Sequence, residues 1–190
     1  MAQDIKKINI GFTRTCDCAP SHINCLSAKE WIKNQLGVWQ FTYEKRDIRD
    51  KSVHPATFPV SLAKRVISLF SHEGELVLDP FTGSGTVLLA AQDLNRNALG
   101  FDLQEKYIEL CKSRLINNNF FNNSKQIPIL DDALNIQDYL EKETLSLIFT
   151  SPPYANLLNR QRKNKSRRGE TRNNDQFMKI EQYSQDPRDL

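Results

Sequence analysis

Short apolar runs alternate with amphipathic stretches between residues 75 and 150. The apolar runs predict buried strands at 75–78, 98–101, 127–130 and 147–150. Between them, apolar positions at helical spacing predict helices at 86–94 and 105–116 and a short helical stretch near 136–140. Strands that alternate with helices build a parallel sheet with helices on both faces. The pattern therefore predicts an α/β protein that binds ligands at the carboxyl ends of its strands.

Two helices are predicted ahead of the first strand. A capping-box pattern at Ser27 and Glu30 predicts a helix near 28–36, with an apolar face of Ile32, Leu36 and Trp39. A rigid, proline-containing lead-in follows at 54–59. It introduces a second predicted helix, whose apolar face consists of Val60, Ala63, Val66, Ile67 and Phe70.

The composition is that of a polar protein without a membrane segment. Of the 190 residues 39% are hydrophobic, the net charge is +3, and no apolar run approaches the ~20 residues that span a bilayer. The polar N-terminus has no signal-peptide pattern, so a cytoplasmic location is expected. We divide the chain into an N-terminal extension (1–53), a core (54–155) and a basic, flexible tail (156–190) that leads to a missing segment.

Three of the four cysteines cluster near the N-terminus. Cys16, Cys18 and Cys25 surround His22 in the pattern C-x-C-x3-H-x2-C. Thiolates and imidazoles bind zinc, but this spacing matches none of the usual structural zinc patterns. Reduced structural thiols are the favoured interpretation, so no metal is predicted, and zinc is kept as the alternative. The fourth, Cys111, is in line with apolar positions of its helix and is expected in the core.

A glycine-rich turn, Asp79-Pro80-Phe81-Thr82-Gly83-Ser84-Gly85-Thr86, follows the first strand of the sheet. Its two glycines allow a sharp turn and a close approach to a ligand. N–H groups at the start of the next helix can hold a carboxylate or a phosphate. The turn lacks the Lys-Ser/Thr end of a P-loop. Asp79 would repel a pyrophosphate but could hold an α-ammonium group, which favours an amino-acid-bearing adenosine, S-adenosylmethionine (SAM).

Acidic residues end the second and third strands. Asp102 lies 19 residues beyond Gly83, where a carboxylate can bind ribose hydroxyls. With Glu105 it also forms a capping-box pattern, and both roles can coexist. Asp131 and Asp132 could place a carboxylate or nearby backbone beside an adenine, although one of the two could serve only as a turn residue.

The fourth strand leads into Ser151-Pro152-Pro153-Tyr154. An exocyclic base amine is a poor nucleophile because its lone pair is delocalised into the ring. Catalysis must therefore accept hydrogen bonds from the amine and aim its lone pair at the methyl group. The Ser151 hydroxyl and the Pro152 carbonyl, held rigid by two prolines, are suitable acceptors. Tyr154 offers a face on which a flipped base can stack. A structural turn with a core tyrosine is the alternative, which the position after the fourth strand disfavours.

The segments 79–86, 100–102 and 150–154, with the lead-in at 54–59, resemble the amino-methylating DNA methyltransferases over about residues 54–160. The resemblance implies a Rossmann-like SAM-dependent methyltransferase fold, with only part of the family's full seven-stranded sheet, and SAM as the cofactor. By this resemblance the methionine portion of SAM is bound by Asp79, Phe81, Gly83, Gly85 and Thr86, helped by Thr57 and Phe58. Asp102 would bind the ribose, and Asp131 or Asp132 the adenine side.

The resemblance also implies a substrate. In this family Ser at the first position of the catalytic loop is associated with cytosine N4, and Asp or Asn more with adenine N6. The expectation is a site-specific DNA methyltransferase, with cytosine N4 preferred, of a restriction–modification or phage-type system acting on double-stranded DNA. No target-recognition segment fits between Asp131 and Ser151. It is expected after residue 190, in a missing segment or a second polypeptide.

A basic run follows the catalytic loop directly. Between residues 160 and 172 there are seven basic residues and one acid, Glu170. Such a run is often only a solvated or disordered face, but this position favours contact with DNA phosphates. The expected phosphate contacts are Arg160, Arg162, Lys163, Lys165, Arg167, Arg168 and Arg172.

Two other functions are kept as alternatives. Related Pro-Pro-Tyr loops also serve methylation of an RNA base or of a protein glutamine amide. A non-catalytic fragment or split subunit that binds SAM and DNA and needs a partner is the other alternative, because only four strands are predicted.

Overall fold

The computed structural model describes residues 8, 14–43, 45, 57–116 and 123–152. Those up to Ser151 fall in one compact unit. Its helices are α1 (Ala28–Asn34), α2 (Val60–Phe70), α3 (Thr86–Asp93) and α4 (Glu105–Ile116), with a 3-10 helix at Ala133–Asp138. Its strands are β1 (Leu76–Asp79), β2 (Asn97–Asp102), β3 (Gln126–Leu130) and β4 (Leu147–Ile148). Within the described residues no helix is long and apolar enough to cross a membrane.

The strands form one parallel sheet in the order β3-β2-β1-β4. Leu78 of β1 pairs with Leu99 on one side and with Ile148 on the other. This is the order of a doubly wound α/β sheet, in which the chain returns across the first strand to continue on its far side. The switch in direction lies between β1 and β4, so the expected ligand crevice is at the carboxyl ends of these two strands. The predicted Rossmann-like α/β fold is confirmed.

Alternation along β1 divides the core between the two faces of the sheet. Val77 belongs to the apolar cluster under the helices, which also contains Val60, Ile67, Val87, Leu88 and Cys111. Leu76 and Leu78 belong to the opposite cluster, which also contains Leu99, Phe101, Tyr139 and Leu140. Helices α2, α3 and α4 therefore contribute to the core on one face, and the 3-10 region covers the other.

The helix predictions are correct for helices that pack against the sheet. The bounds of α4 agree with the predicted 105–116, and Cys111 is fully buried as expected. The capping box of α1 forms, but the predicted apolar face is wrong, because Ile32 and Leu36 are each 63% exposed. In α2, Phe70 is exposed and Leu69 is buried instead. The end of α2 meets the N-terminal segment, since Asn24 donates a hydrogen bond to the Leu69 carbonyl.

Candidate cofactor and catalytic site

Asp79 ends β1 at the predicted crevice. Its side chain is almost fully buried, and Oδ1 accepts hydrogen bonds from the Phe81 N–H (3.1 Å) and from Thr150 Oγ1 (2.6 Å). Burial raises the pKa of this carboxyl to about 7, although the two hydrogen bonds oppose the shift, and the nearby Asp102 raises it further. Within the described residues no Lys or Arg forms an ion pair with it. The site therefore holds a buried acid that a cationic ligand would stabilise in its ionised form.

The glycine-rich turn is braced by its own hydrogen bonds. The Thr82 N–H donates to the Phe101 carbonyl at 2.8 Å, and the Gly85 N–H donates to the Thr82 carbonyl at 2.8 Å. The Gly83 N–H is also engaged, with Asp102 Oδ2 at 3.0 Å. These donors are thus used inside the protein. The N–H groups of the first turn of α3 have no helical acceptor, so they can receive an anionic ligand group.

Close packing explains the second glycine of the turn. Gly85 has φ +80°, and a Cβ added there would lie 2.2 Å from Cys111 Sγ on α4. Gly100 on β2 is restricted by space alone, because its Cβ would lie 2.5 Å from Thr82 Oγ1. Only glycine lets the turn approach the neighbouring helix and strand this closely.

Arg114, which the sequence analysis did not single out, donates hydrogen bonds to the glycine-rich turn from helix α4. It is almost fully buried on α4, and its Nη1 donates to the Ser84 carbonyl (2.6 Å) and to Ser84 Oγ (3.0 Å). Nη1 also lies 3.4 Å from Thr86 Oγ1. The available signal was helical spacing, since Arg114 lies three residues after Cys111 and seven after Tyr107, on the face that packs against the sheet. A buried arginine is almost always paired.

Asp102 does not form the capping box expected with Glu105, because the first helical bonds of α4 are accepted by the Gln104 carbonyl, two residues further on. Its Oδ1 instead accepts the Gln104 N–H at 2.8 Å in a local turn ahead of the helix. Its Oδ2 accepts the Gly83 N–H. Burial raises the pKa of this carboxyl, and the two N–H groups and Lys106 oppose the shift. Each oxygen keeps a lone pair for a ligand hydroxyl, because a carboxylate has about four acceptor sites.

The two acids after β3 differ in their contacts. Asp131 is engaged by Tyr139 Oη (2.5 Å), Asn135 Nδ2 (2.8 Å) and the Asp132 N–H (2.7 Å). Asp132 is the N-cap of the 3-10 helix, and its Oδ1 accepts the Leu134 N–H at 2.9 Å. Asp131 thus braces the turn, and Asp132 is the better placed of the two to offer a free carboxylate oxygen.

The lead-in residues Thr57 and Phe58 lie at the N-terminal end of α2. The Phe58 ring packs edge-on against Phe149, with ring centroids 5.5 Å apart, and contacts the core under the helices. The Thr57 carbonyl accepts a hydrogen bond from Tyr43 Oη at 3.0 Å, and its own hydroxyl is buried without a partner in the described part of the chain. Phe58 is therefore a packing residue beside the end of β4, and the Thr57 hydroxyl is the unsatisfied polar group there.

The start of the predicted catalytic loop lies beside the glycine-rich turn, because Thr150, the residue before Ser151, donates its hydroxyl to Asp79. The Phe149 N–H donates to the Leu78 carbonyl at 3.0 Å, which extends the β1–β4 pairing beyond β4. Ser151 is half-buried and Pro152 is exposed. Pro153, Tyr154 and the seven basic residues lie outside the described residues.

Four large apolar side chains are exposed at the carboxyl edge of the sheet. They follow or end β1, β2 and β3, and their exposed fractions are 45% for Phe81, 70% for Leu103, 50% for Leu130 and 83% for Leu134. Sequence reasoning assigned a role only to Phe81. Exposed apolar groups that share an edge with convergent polar groups are typical of a ligand site.

Fold and site together define a class: a doubly wound α/β protein with a buried acid and a glycine-rich turn at its topological switch point. Comparison with known families is more specific. Residues 4–113 match the model of the N6/N4 family, described as DNA methylase, and residues 60–185 match that of the D12 class N6 adenine-specific DNA methyltransferases. The chain belongs to the N6/N4 DNA methylase family, whose members use SAM.

Individual relatives include type II methyltransferases. M.HpaI of Haemophilus parainfluenzae is 40% identical over 82 residues, covering 43% of this chain and 26% of the relative. M.BglI of Bacillus subtilis is 32% identical over 127 residues, covering 66% and 35%. The M1.HpyAVI–SAM complex is 38% identical with a TM-score of 0.34, covering 35% of this chain and 32% of that one. The chain thus spans about a quarter to a third of the length of the curated relatives it matches.

Proposed function

We propose that this chain binds SAM and transfers its methyl group to an exocyclic amine of a base in double-stranded DNA. The observation that carries the proposal is Asp79, a buried carboxyl group without a cationic partner in the described structure. A buried ionised acid is costly unless it is paired. The α-ammonium group of SAM would supply the missing charge, and the N–H groups of the first turn of α3 would receive the carboxylate.

The remaining parts of SAM correspond to the other strand ends. Asp102 accepts the ribose hydroxyls with the lone pairs that Gly83 and Gln104 leave free. Asp132 receives the adenine amino group, and Leu103, Leu130 and Leu134 supply the apolar surface for its ring. The Thr57 hydroxyl, beside β4, contributes at the methionine end. In this assignment Phe81, Gly83, Gly85 and Thr86 form the turn that surrounds the methionine end. Asp131, whose carboxylate braces its own turn, and Phe58, which packs against the core, are given no contact with SAM.

The chemistry is a displacement at the methyl carbon. The amine nitrogen forms a bond to that carbon, the carbon–sulfur bond of the sulfonium breaks to leave a neutral thioether, and a proton of the amine passes to water. Ser151 Oγ and the Pro152 carbonyl accept hydrogen bonds from the amine and aim its lone pair. Tyr154 stacks on the flipped base, and Pro153 stiffens the loop between them.

Two observations favour different bases. Ser151 at the first position of the catalytic loop favours cytosine N4, which is the assignment we propose. The match of residues 60–185 to an N6 adenine-specific model favours adenine N6 as the second candidate. Digestion of the methylated product to nucleosides distinguishes N4-methylcytosine from N6-methyladenine directly.

Contact with DNA is proposed for the basic residues 160–172. Phosphate contacts release counterions, so binding should weaken with salt at a slope of about −0.9 per neutralised phosphate. Neutralising four of the seven should flatten this slope. An unchanged slope would leave a solvated basic face as the correct interpretation.

The proposal is tested in two stages, because the chain covers part of its relatives only. Calorimetry first measures SAM binding by the chain itself, where Asp102→Ala should lose about 1–3 kcal/mol, the scale of hydrogen bonds to a charged group. Labelled SAM is then offered with DNA, RNA or protein substrates, both to the chain alone and to the chain extended to the length of its relatives. Label in RNA or protein but not in DNA would contradict the proposal.

A further inference from the structure

Three thiols and one imidazole converge between the N-terminal segment and the loop after α2. The cluster consists of Cys16, Cys18, Cys25 and His72, whose sulfur and nitrogen atoms all lie within 4.8 Å of one another. The ring atom is His72 Nδ1, at 3.4 Å from Cys16 Sγ, 3.7 Å from Cys18 Sγ and 3.4 Å from Cys25 Sγ. His22, the histidine suggested by sequence proximity, is not part of the cluster.

The spacing of these four atoms is that of a tetrahedron around a metal ion. Zinc–sulfur bonds of about 2.3 Å and zinc–nitrogen bonds of about 2.0–2.1 Å, at tetrahedral angles, place two sulfurs about 3.8 Å apart and sulfur and nitrogen about 3.6 Å apart. The Sγ–Sγ distance is 3.5 Å for Cys16–Cys18 and 4.0 Å for Cys18–Cys25, and the Cys16–Cys25 pair lies within 4.8 Å. We propose that Cys16, Cys18, Cys25 and His72 bind one zinc ion.

The groups around the cluster suit a metal thiolate centre. Arg14 donates from Nε to Cys16 Sγ at 3.0 Å and from Nη2 to Cys18 Sγ at 2.7 Å, and the Glu73 N–H points to Cys25 Sγ at 3.5 Å. Three thiolates around a divalent ion leave a net negative charge, which the guanidinium offsets. Such donors to the ligand atoms orient metal ligands and tune their affinity.

The backbone is held in an uncommon conformation to present Cys25. Asn24 and Cys25 have φ of 53° and 68°, and neither is glycine. Residues in this region persist only where their surroundings fix them. The Asn24 side chain is anchored on the Leu69 carbonyl, and the Thr15 N–H donates to the Glu73 carbonyl at 2.8 Å. Both contacts hold the cysteine segment against the loop that carries His72.

Disulfide formation explains the cluster less well. The sulfur separations are far longer than the ~2.05 Å of a disulfide, and three cysteines leave one thiol over in any pairing. A disulfide would also not explain why His72 Nδ1 lies within 3.7 Å of all three sulfur atoms. Four protein ligands of this soft type are typical of zinc in a closed, structural site.

The position of the site separates it from the proposed catalysis. His72 precedes β1 and Asp79 ends it, so the zinc lies toward the opposite edge of the sheet from the cofactor turn. Its role is to fasten residues 14–25 to the core. This inference does not depend on the proposed methyl transfer.

The first test uses the full chain, purified under reducing conditions without added metal. Elemental analysis should find close to one zinc per chain. Replacement by Co²⁺ should give the visible bands of a tetrahedral ion together with sulfur-to-cobalt charge-transfer bands in the near ultraviolet. A reduced, folded chain that holds no zinc, gains none when zinc is offered, and gives no thiolate bands with cobalt would overturn the proposal. So would a disulfide among Cys16, Cys18 and Cys25 in a second preparation, isolated without reductant and with free thiols blocked at lysis.

Matched variants then identify the ligands. Cys18→Ala and His72→Asn should lose the zinc or bind it at least tenfold more weakly, whereas Cys111→Ala and His22→Asn should keep it. Loss of zinc in His22→Asn with retention in His72→Asn would overturn this ligand set. If His72→Asn fails to fold, the wild-type cobalt spectrum and the His22→Asn zinc content still decide, because neither needs that variant.

Discussion

Thr150 Oγ1 donates a 2.6 Å hydrogen bond to Asp79 Oδ1, across 71 residues of sequence. The bond joins Asp79, the last residue of β1, to the residue that precedes Ser151. It forms because β1 and β4 are parallel neighbours, with Leu78 opposite Ile148, so that their carboxyl ends emerge side by side. The hydroxyl favours the ionised carboxylate, which burial disfavours. The proposed methyl donor and methyl acceptor sites are therefore linked at this pair.

Removing this hydroxyl should shift the pH dependence of SAM binding. SAM binds the ionised Asp79 through its α-ammonium group, so wild-type affinity should rise as the pH increases through about 7 and fall again where that ammonium group loses its proton. In Thr150→Val the pKa of Asp79 loses a lowering contribution, so the midpoint should move to higher pH. Calorimetry across pH measures the midpoint. Thr144→Val, which removes an exposed hydroxyl, should leave it unchanged. Equal profiles for the two variants would contradict the role given to Thr150.

Asp79→Asn should stabilise the ligand-free protein while abolishing SAM binding. The pKa of Asp79 is about 7 in the folded state and 3.8 for an ordinary aspartate, so only the unfolded chain is ionised between these values. Stability therefore falls as the pH rises from about 4 to 7, and the loss persists above 7. The variant removes this loss, which we expect to be roughly 1–4 kcal/mol.

Urea unfolding at pH 4 and pH 8 measures the effect of Asp79→Asn. The gain in the free energy of unfolding should be present at pH 8 and largely absent at pH 4. Asp138→Asn, at an exposed acid, serves as the control. A variant that is less stable than the wild type at pH 8 would show that burial of the charge is not the dominant cost.

The sequence predicted the sheet well because its signals are local. Each strand is an apolar run, each connection is a turn or a helical period, and the glycine turn lies directly between β1 and α3. The predicted apolar face of α1 was wrong for the same reason. The spacing of Ile32 and Leu36 is a local signal, and it does not show whether another surface packs against them. Both remain exposed in the described structure.

Contacts between distant positions were beyond local patterns. Cys25 and His72 are 47 residues apart, and the nearer His22 offered a plausible but different ligand set. Arg114 reaches Ser84 across 30 residues, which no motif spacing encodes. Asp79 was assigned from its position in the turn, but its burial and its bond to Thr150 depend on the strand order, which places β4 beside β1.

Gly85→Ala should be strongly destabilising, and Cys111→Ala should relieve part of the cost. The substitution adds a Cβ 2.2 Å from Cys111 Sγ at a residue with φ +80°. Left-handed backbone costs about 1–2 kcal/mol for alanine, and overpacking adds about 1–3 kcal/mol. A double-mutant cycle by urea unfolding should show favourable coupling of the size of the second contribution. Gly37→Ala, where nothing lies within 4 Å, is the control. Strict additivity would rule out the clash with Cys111.

Ser151→Ala and Tyr154→Ala should impair methyl transfer and spare SAM binding. Both side chains are assigned to the base and not to the cofactor. Loss of one positioned acceptor should lower kcat with little change in the SAM dissociation constant. Single-turnover transfer and calorimetry, in the chain alone and in the chain extended to the length of its relatives, measure the two quantities separately. If Tyr154→Ala abolished SAM binding in a folded protein, the stacking role would have to be abandoned.

Arg114→Met should destabilise the fold and weaken SAM binding, although no contact with SAM is proposed for Arg114. Its guanidinium supplies donors to the Ser84 carbonyl and hydroxyl, and a buried acceptor left without a donor costs about 1–3 kcal/mol. The freed turn would then have to be ordered by the ligand, so SAM affinity should fall as well. Arg114→Lys should recover part of both losses, because it restores a cationic donor. Lys112→Met on the same helix removes an exposed ion pair with Glu109 and should change stability by less than about 0.5 kcal/mol. A fall in stability with SAM affinity at the wild-type value would limit Arg114 to a role in folding.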